Sequence, residues 1–345
     1  MASLSASVRA NKPLAAVMRA MHAIAPLHLA DKSWDNVGLL LEAPKPRTSN
    51  GVFLAIDLTT DVAAELLSEK NKGVSVAVIY HPTIFRGLKS LTLSNTQQRS
   101  LLSCAAEGIS IYCPHTSLDA TPAGINDWLI LNALSACSPP TSSQAGKVRQ
   151  TETRLSGLKD VWGESPDTFA RSLLADLPTA AGPAQTLQNS VNADSDQAKS
   201  EGWSSAGMGR QVVLREPISL GTFARAFKAE MGVEHAQMAY ARGANAETQI
   251  KTIAVCAGSG SSVLQGAEAD LWITGELSHH ELLATTEPGS TSVLLLRHTT
   301  SERGFLADIL GPRLQAVLRE QAGTDKSGDW SIRVSQEDRD PLTFV

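Results

Sequence analysis

Two stretches of the sequence place a histidine directly after an apolar segment and an acidic residue four positions later. The first, ISIYCPHTSLD, contains His115 and Asp119, and the second, SVLLLRHTTSE, contains His298 and Glu302. Residues four positions apart lie on the same face of a helical turn, so each pair can bind one ion together. Imidazole and carboxylate ligands suit zinc, iron, manganese and nickel. The shared pattern predicts an internal duplication in which each half contributes to a metal site.

A third histidine, His81, follows the apolar run VSVAVIY. Pro82 keeps the residue before it out of the helical region, so the chain must turn away from the strand at this point. In α/β sheets, ligands bind beyond the carboxyl ends of the strands. His81 is therefore predicted to add a nitrogen ligand, and one of two carboxylates could bridge a pair of ions for hydrolysis. For any one of these histidines, a purely structural role is the alternative.

The elements that must position these residues follow an alternation of strands and helices. Strands are predicted at 52–59, 74–80 and 109–114, with helices at 60–73 and 95–108 between them. The last third of the chain returns to this alternation, and strands are predicted at the start of the segments 251–260, 270–281 and 291–306. Alternation in such short units predicts an α/β protein. We expect two similar α/β lobes with mixed, largely parallel sheets and the metal site in the cleft between them.

The middle of the chain has a different amino-acid composition. Residues 137–206 are rich in Ser, Pro, Gly, Gln and Asn, which favours a linker or surface loop, with one helix predicted within PDTFARSLLADL. The first lobe is accordingly predicted at 1–136 and the second at 207–345, and the part from about 290 can pack with the first lobe.

Composition and charge exclude several classes of protein. Apolar residues make up 42% of the chain, enough to build a core, and the net charge of −5 with no basic stripe argues against direct nucleic-acid binding. No apolar run of about 18 residues is present, so no membrane association is expected. The four cysteines form no CxxC pair, which favours buried thiols in a reducing compartment over a zinc–thiolate site.

The first segment of the chain carries three cations, Arg9, Lys12 and Arg19, and no acidic residue before Asp31. This resembles a weak mitochondrial presequence. A short frayed tail followed by an amphipathic helix is the interpretation we prefer, because the segment continues without a break into DKSWDNVGLLLE. We predict a cytoplasmic protein, and mitochondrial and nuclear locations stay open.

Seven segments, spread in order over nearly the whole chain, resemble one protein family. It is named after a factor that interacts with the transcriptional co-regulator NGG-one, the NGG-one-interacting-factor-three-like family, and its bacterial members are often labelled type-two GTP cyclohydrolase I-like proteins. The matching segments are WDNVGLLLE (34–42), YHPTIFRGLKSLT (80–92), PHTSLDATPAGINDWL (114–129), GMGRQVVL (207–214), VCAGSGSS (255–262), ADLWITGELSHHE (269–281) and HTTSERGFL (298–306). Several of them are long and unusual, which makes the resemblance specific.

The resemblance implies a two-domain α/β protein with two divalent metal ions between the domains, without distinguishing zinc, iron, manganese and nickel. The implied metal ligands are His81, Asp119, His298 and Glu302. The family has a His-His pair whose first member is Tyr80 here. A phenol with a pKa near 10 is a poor ligand unless it ionises, so one metal position is expected to be weaker or differently completed. His115 is the nearest residue to compensate, or else it orients Asp119.

Other matching residues are expected around the metal centre. His279 and His280 lie in the family's glycine–acid–histidine turn and are predicted to line the cavity. Asp35, in WDNVG, either reaches the cavity or caps a turn. The glycines of CAGSGSS resemble a phosphate-binding turn, although a tight strand-to-helix turn explains them equally well.

Two functions of different kinds follow. The first is a metal-dependent, cyclohydrolase-like hydrolase acting on a nucleotide or related small phosphorylated molecule, with Glu302 or His115 transferring protons. Three cations, Arg86, Lys89 and Arg303, would then contact phosphate. The alternative is a non-catalytic metal-binding regulator or scaffold for a transcriptional co-regulator protein. Whether the protein is an enzyme stays undecided at this level, and the resemblance implies a homo-oligomer.

Overall fold

The computed structural model describes residues 4–138, 149–175, 177, 179–189, 203, 205–322 and 329–345. The chain divides into two compact units, the first formed by 1–118 and 306–339 and the second by 119–305 and 340–345. Each unit contains one sheet covered by helices, so the predicted architecture of two α/β lobes is confirmed.

The sheet of the first unit has five strands. They are β1 (Gly38–Leu41), β2 (Gly51–Ala55), β3 (Val74–Ile79), β4 (Ser110–Cys113) and β11 (Ser331–Val334), in the spatial order β1-β4-β3-β2-β11. The four strands from β4 to β11 run parallel, and β1 pairs antiparallel with β4. Every residue of β2, β3 and β4 is buried, as expected for parallel strands covered on both faces.

The helices of the first unit pack around this sheet. They are Ala6–Ala10, Lys12–Ile24, Thr60–Leu66, Thr96–Ala106 and Gly311–Ala322, with 3₁₀ turns at Leu27–Leu29 and Glu69–Asn71 and a π-helix at Leu306–Leu310. The helix predicted at 60–73 ends at Leu66, because the Ser68 hydroxyl donates to the Glu65 carbonyl and a 3₁₀ turn follows. One side of the sheet is packed by Leu66 and Leu101 against Phe53 and Ile111.

The sheet of the second unit is mixed. Its strands are β5 (Gln185–Asn189), β6 (Gly207–Ser219), β7 (Gln237–Ala239), β8 (Gln249–Ser259), β9 (Leu271–Glu276) and β10 (Ser292–Leu295), in the order β5-β6-β8-β9-β10-β7. The central strands β8, β9 and β10 are parallel, and the outer pairings are antiparallel. The parallel trio is the part of the sheet from which the candidate site is built.

The second unit is organised around a buried helix, Ile125–Ala136, whose 12 residues are all buried. The further helices of this unit are Gln150–Ser156, Pro166–Leu174, Leu220–Met231, Ser261–Leu264, His279–Thr286 and Arg303–Phe305, with 3₁₀ turns at Lys159–Val161 and Thr299–Ser301; the short helix Thr116–Ala120 spans the boundary of the two units. Asp127 accepts hydrogen bonds from the guanidinium of Arg210 on β6 at 2.6 and 2.9 Å. This buried ion pair fixes the helix against the sheet.

The segment 137–206, for which we predict a linker or surface loop, contains two helices and strand β5 in its described part. The helix predicted in PDTFARSLLADL is present as Pro166–Leu174, begun by Ser165, whose hydroxyl accepts from the Thr168 amide. Positions 139–148 and 190–202, where the linker prediction also applies, lie outside the described residues.

All four cysteines are free, and three are buried, as predicted. Burial raises the pKa of Cys104 and of Cys137 to about 12, so neither thiol ionises near neutral pH. Within the described residues, none of the helices combines the length and apolar character needed to span a bilayer.

Candidate metal centre

In the first unit, three neighbouring parallel strands are each followed by a polar side chain. Asp57 follows β2, His81 follows β3 and His115 follows β4. The His81 amide donates to the carbonyl of Ile56 at 2.9 Å, which continues the strand pairing beyond the sheet. As a result Nδ1 of His81 lies 3.0 Å from Oδ1 of Asp57. With Nδ1 held by the carboxylate, His81 would bind a metal ion through Nε2.

His115 is held by a buried carboxylate in the same way. Its Nδ1 lies 2.7 Å from Oδ1 of Asp35, whose side chain is fully buried. The other oxygen of Asp35 accepts from the hydroxyl and the amide of Thr116 at 2.5 and 3.3 Å. Burial pushes the pKa of Asp35 upward, but the hydrogen bonds from His115 and Thr116 outweigh it and leave the pKa below its ordinary value. Asp35 therefore stays ionised and orients the imidazole of His115.

Tyr80, which stands where the resemblance leads us to expect a histidine, packs against both imidazoles. Its ring centroid lies 4.9 Å from that of His81 and 5.4 Å from that of His115, and the side chain is buried. The two imidazole centroids are 5.4 Å apart. Within the first unit the structure thus brings together Tyr80, His81, His115 and Asp35.

The backbone is strained at His115 and at the residue before His298. His115 itself has φ of 31°, and Arg297, directly before His298, has φ of 76°. Side chains other than glycine rarely adopt this region, and such strain concentrates at functional sites.

In the second unit, His298 lies between two carboxylates. Its Nδ1 is 2.9 Å from Oε1 of Glu276, the last residue of β9, and its Nε2 is 3.5 Å from Oε1 of Glu302. Glu302 is only 2% exposed. If Nδ1 carries the proton donated to Glu276, then Nε2 and the Glu302 oxygen are two electron-pair donors facing each other. A cation between or beside them offsets the cost of burying the carboxylate.

The backbone of Asp119 is tied to the end of β8 through Asn126. The Asn126 amide donates to the backbone carbonyl of Asp119 at 3.0 Å, and its oxygen accepts from the Ala257 amide at 3.0 Å. Burial first, and then the negative charges of Asp119 and Glu302, raise the pKa of Cys256 far above its ordinary value. Both carboxylates therefore act on the end of β8, where Cys256 lies, although they are far apart in the sequence.

The glycines of CAGSGSS have a packing role at this point. Gly258 has φ of +65°, and a Cβ atom there would lie 2.7 Å from Oε1 of Glu302 and 3.2 Å from Nε2 of His298. At Gly275 a Cβ atom would lie 2.8 Å from Cα of His298. The helix that follows Gly260 has four residues, Ser261–Leu264. The glycines are thus required because the ligand-bearing turn passes directly against the backbone.

The remaining predicted site residues have different surroundings. His279 and His280 are exposed and begin a helix whose N-terminus is closed by a capping box of Ser278 and Glu281. Among the described His, Cys, Asp and Glu residues, the group that can hold an ion includes His298 and Glu302 but neither His279 nor His280. Arg303 is half-buried and donates to the Thr299 hydroxyl at 2.6 Å.

Three residues of this arrangement are missing from the sequence-based prediction: Asp57, Glu276 and Asn126. Asp57 and Glu276 lie at the ends of apolar strands, the same signal that identified the histidines, and it applies to carboxylates equally well. Asn126 lies within the apolar helix Ile125–Ala136, where no local pattern marks it.

The donors of the second unit fit a divalent metal. One imidazole nitrogen fixed by a carboxylate, together with an oxygen of Glu302, is a mixed nitrogen and oxygen set of the kind that zinc, iron, manganese and nickel accept. Asp119 is not in the group of described residues that could hold an ion together. The Glu276–His298 contact is the outer carboxylate–imidazole pair found at most metal-binding histidines.

Comparison with known proteins identifies chains similar to this one in sequence and in fold. The sequence profile described as Duf34/NIF3 (NGG1p interacting factor 3) matches residues 13–341. The chain is 38% identical over 318 residues to "Protein NIF3 homolog" of Schizosaccharomyces pombe, covering 92% of each chain. It is 31% identical over 341 residues to "NGG1-interacting factor 3" of Saccharomyces cerevisiae, covering 95% of this chain and 96% of the relative. A Bacillus cereus protein related to NIF3 shares the fold at a TM-score of 0.64 and 18% identity, over 95% of this chain and 98% of that one. The chain therefore belongs to the Duf34/NIF3 family.

Proposed function

We propose that the protein binds two divalent metal ions and hydrolyses a nucleotide or a related small phosphorylated molecule. The proposed metal ligands are His81, Asp119, His298 and Glu302. The observation that carries the proposal is the buried Glu302 carboxylate 3.5 Å from Nε2 of His298, an imidazole already fixed at Nδ1 by Glu276. An imidazole nitrogen and a carboxylate oxygen at this separation can bind one divalent cation together.

When bound, divalent ions supply Lewis acidity and lower the pKa of water, which suits hydrolysis of phosphorylated substrates. Tyr80 removes one imidazole from the expected donor set. His115, whose centroid is 5.4 Å from that of His81, is the residue proposed to complete the second position or to serve beside it.

Where it serves beside the metal rather than binding it, His115 is the proposed proton carrier, with Glu302 as the second acid–base group. Asp35 holds Nδ1 of His115 and remains ionised, so Nε2 is presented in a fixed orientation. Nε2 of His115 would accept a proton from the attacking water and return it to the leaving group.

Cationic contacts to phosphate are proposed for Arg86, Lys89 and Arg303. Arg86 and Lys89 are exposed in the loop that follows His81, so their side chains can reach a ligand without displacing a packed group. Arg303 is the residue after Glu302 and is oriented by Thr299. A guanidinium fixed in this way suits bidentate binding of phosphate.

The test compares the wild type with Asp119→Ala, using Asp61→Ala as the control because Asp61 is exposed in the first turn of a surface helix. Bound metal is measured by elemental analysis, and the three proteins are then screened against nucleotides and phosphoesters. We expect Asp119→Ala to lose metal and turnover together while Asp61→Ala keeps both. Full metal content and full turnover in Asp119→Ala would refute the ligand set, and a wild type that binds metal without any turnover would refute the hydrolase.

A non-catalytic scaffold is the second candidate, supported by a specific surface. The segment 85–93 exposes four large apolar side chains, Phe85, Leu88, Leu91 and Leu93, between 41% and 63%. Exposed apolar patches of this kind mark protein-binding surfaces. The name of the Saccharomyces cerevisiae relative, "NGG1-interacting factor 3", describes an interaction with another protein. A transcriptional co-regulator, or a second copy of this chain in a homo-oligomer, is the partner this function requires.

The hydrolase and scaffold functions can be distinguished by experiment. The scaffold predicts that Leu91→Glu with Leu93→Glu loses the partner co-regulator, or lowers the oligomer mass in sedimentation, while Asp119→Ala changes neither. The hydrolase predicts the converse dependence for turnover.

A further inference from the structure

A cavity of about 530 Å³ lies in the first unit, and none of the residues of the proposed metal centre or its phosphate contacts lines it. Its lining comes from the two N-terminal helices, from the chain before β2 and from the end of the helix Gly311–Ala322 together with Trp330. The volume falls in the range of small-molecule sites, about 300–1,000 Å³.

The charged residues that line this cavity are all cationic. Arg9, Lys12 and Arg19 line it, and no Asp or Glu does so among the described residues. Lys12 and Arg19 are seven positions apart on the helix Lys12–Ile24 and so lie on one face, with the small side chain of Ala16 between them. The opposite face of this helix packs into the core through Leu14, which is fully buried. Arg9, Lys12 and Arg19 are exposed, and core packing of the opposite face keeps Lys12 and Arg19 on the cavity side of their helix, where an anion can reach them.

The helix start adds to the positive potential. Lys12 is the first residue of a 13-residue helix, and the Asn11 side chain accepts from the Leu14 amide. The positive end of the helix dipole therefore lies at the same side of the cavity as Lys12. Two amide side chains in the lining, Asn50 and Gln321, can supply neutral hydrogen bonds.

One wall of the cavity is apolar. Trp330, whose carbonyl accepts from the Gln315 side chain at 2.8 Å, lines it together with Pro13 and Leu318. A ligand that matches both features has an anionic head and a flat apolar body. We infer that this cavity binds a small phosphate-bearing molecule of nucleotide size, with its phosphate against Arg9, Lys12 and Arg19 and its planar body against Trp330. This site is separate from the proposed metal centre.

The experiment measures binding of inorganic phosphate and adenosine monophosphate to the full chain by calorimetry, in buffer containing EDTA so that divalent metal cannot contribute. Lys12→Gln with Arg19→Gln should weaken binding of both probes at least about tenfold, since charge-assisted hydrogen bonds are lost. Arg225→Gln with Lys251→Gln is the control, because both cations are exposed in the second unit and the net charge changes equally. Trp330→Leu should weaken binding of the nucleotide but not of phosphate.

The outcome is distinguishable from failure of the hydrolase proposal. Asp119→Ala should bind both probes as the wild type does, and the Lys12 and Arg19 double variant should retain its metal. The proposal is overturned if the double variant and its control bind equally, if the wild type binds neither probe at millimolar concentration, or if binding disappears in Asp119→Ala.

Discussion

At the scale of single residues, each unit contains imidazoles whose Nδ1 atoms are fixed by a carboxylate. The positions of His81, His115 and His298 could be predicted from the sequence because each directly follows an apolar strand. The carboxylate that fixes each of them could not be assigned, because it depends on which strands are neighbours in the sheet. Asp57 meets His81 only because β2 pairs with β3, a pairing without a local signal.

The first residue-scale prediction concerns Glu276, which fixes Nδ1 of His298. Glu276→Gln keeps the size of the side chain but removes the carboxylate charge that fixes Nδ1 of the imidazole. Metal affinity should fall about 10- to 100-fold, as is usual when an outer carboxylate is lost. Calorimetric titration of the metal-free protein with Zn²⁺ measures this. Glu287→Gln, at an exposed position just past the end of the helix His279–Thr286, should leave the affinity unchanged.

Gly258 gives a second prediction with a matched control. Gly258→Ala places a Cβ atom 2.7 Å from Glu302, whereas Gly266→Ala has a similarly positive φ and no atom within 4 Å. Both variants bear the cost of a left-handed alanine, about 1 kcal/mol or more. Only Gly258→Ala should also lose metal binding and destabilise the protein further, as measured by urea unfolding and metal content. Equal effects of the two substitutions would show that the contact with Glu302 is unimportant.

At the scale of elements, strands and helices were predictable wherever the local pattern was strong. The predicted strands at 74–80 and 109–114 are present as β3 and β4. The strand order β5-β6-β8-β9-β10-β7 could not be predicted in this way. Strand β7 lies at the edge of the sheet beside β10, although β8 and β9 come between them in the sequence. Which strand occupies an edge depends on tertiary packing, and a short strand such as Gln237–Ala239 has little pattern of its own.

The element-scale prediction concerns Glu65, which ties the helix Thr60–Leu66 to the chain after β11. Its carboxylate accepts from the Ser335 hydroxyl at 2.6 Å and from the amides of Gln336 and Glu337 at 3.1 and 3.2 Å. Burial raises the pKa of Glu65, but these hydrogen bonds outweigh it, so the pKa in the folded protein is lowered. The stabilisation is therefore fully present above the pKa of the unfolded chain and is lost as the pH falls through the folded pKa.

Glu65→Gln should accordingly reduce the free energy of unfolding by about 1–2 kcal/mol at neutral pH and remove part of the loss on acidification. Urea unfolding at neutral and acidic pH measures both effects. Glu69→Gln, an exposed residue paired with Lys72 at the surface, is the control and should change stability little. If the free energy of unfolding changed with pH in parallel for the wild type and for Glu65→Gln, the carboxylate of Glu65 would not be the source of the pH dependence.

At the scale of the whole molecule, the two units repeat one arrangement. In the first, an acid after β2 fixes a histidine after β3, and in the second, an acid at the end of β9 fixes a histidine after β10. In both cases the two strands are parallel neighbours. The internal duplication predicted from His115 and His298 stays a prediction. The arrangement that the two units share is formed by the pairs Asp57–His81 and Glu276–His298, in which acid and histidine come from different strands.

A buried ion pair between Asp127 and Arg210 contributes to the stability of the second unit. Asp127 and Arg210 are both nearly inaccessible, and Asp127 also accepts from the Ala123 amide at 2.7 Å. Removing one partner leaves the other charge buried and alone, so Arg210→Met should cost about 3–5 kcal/mol, a large share of a typical stability of about 5–15 kcal/mol. In Asp127→Leu with Arg210→Met neither charge remains, and the cost should be smaller than the sum of the two single substitutions. Chemical unfolding of all four proteins measures the coupling free energy, and strictly additive losses would mean that the pair does not act as a unit.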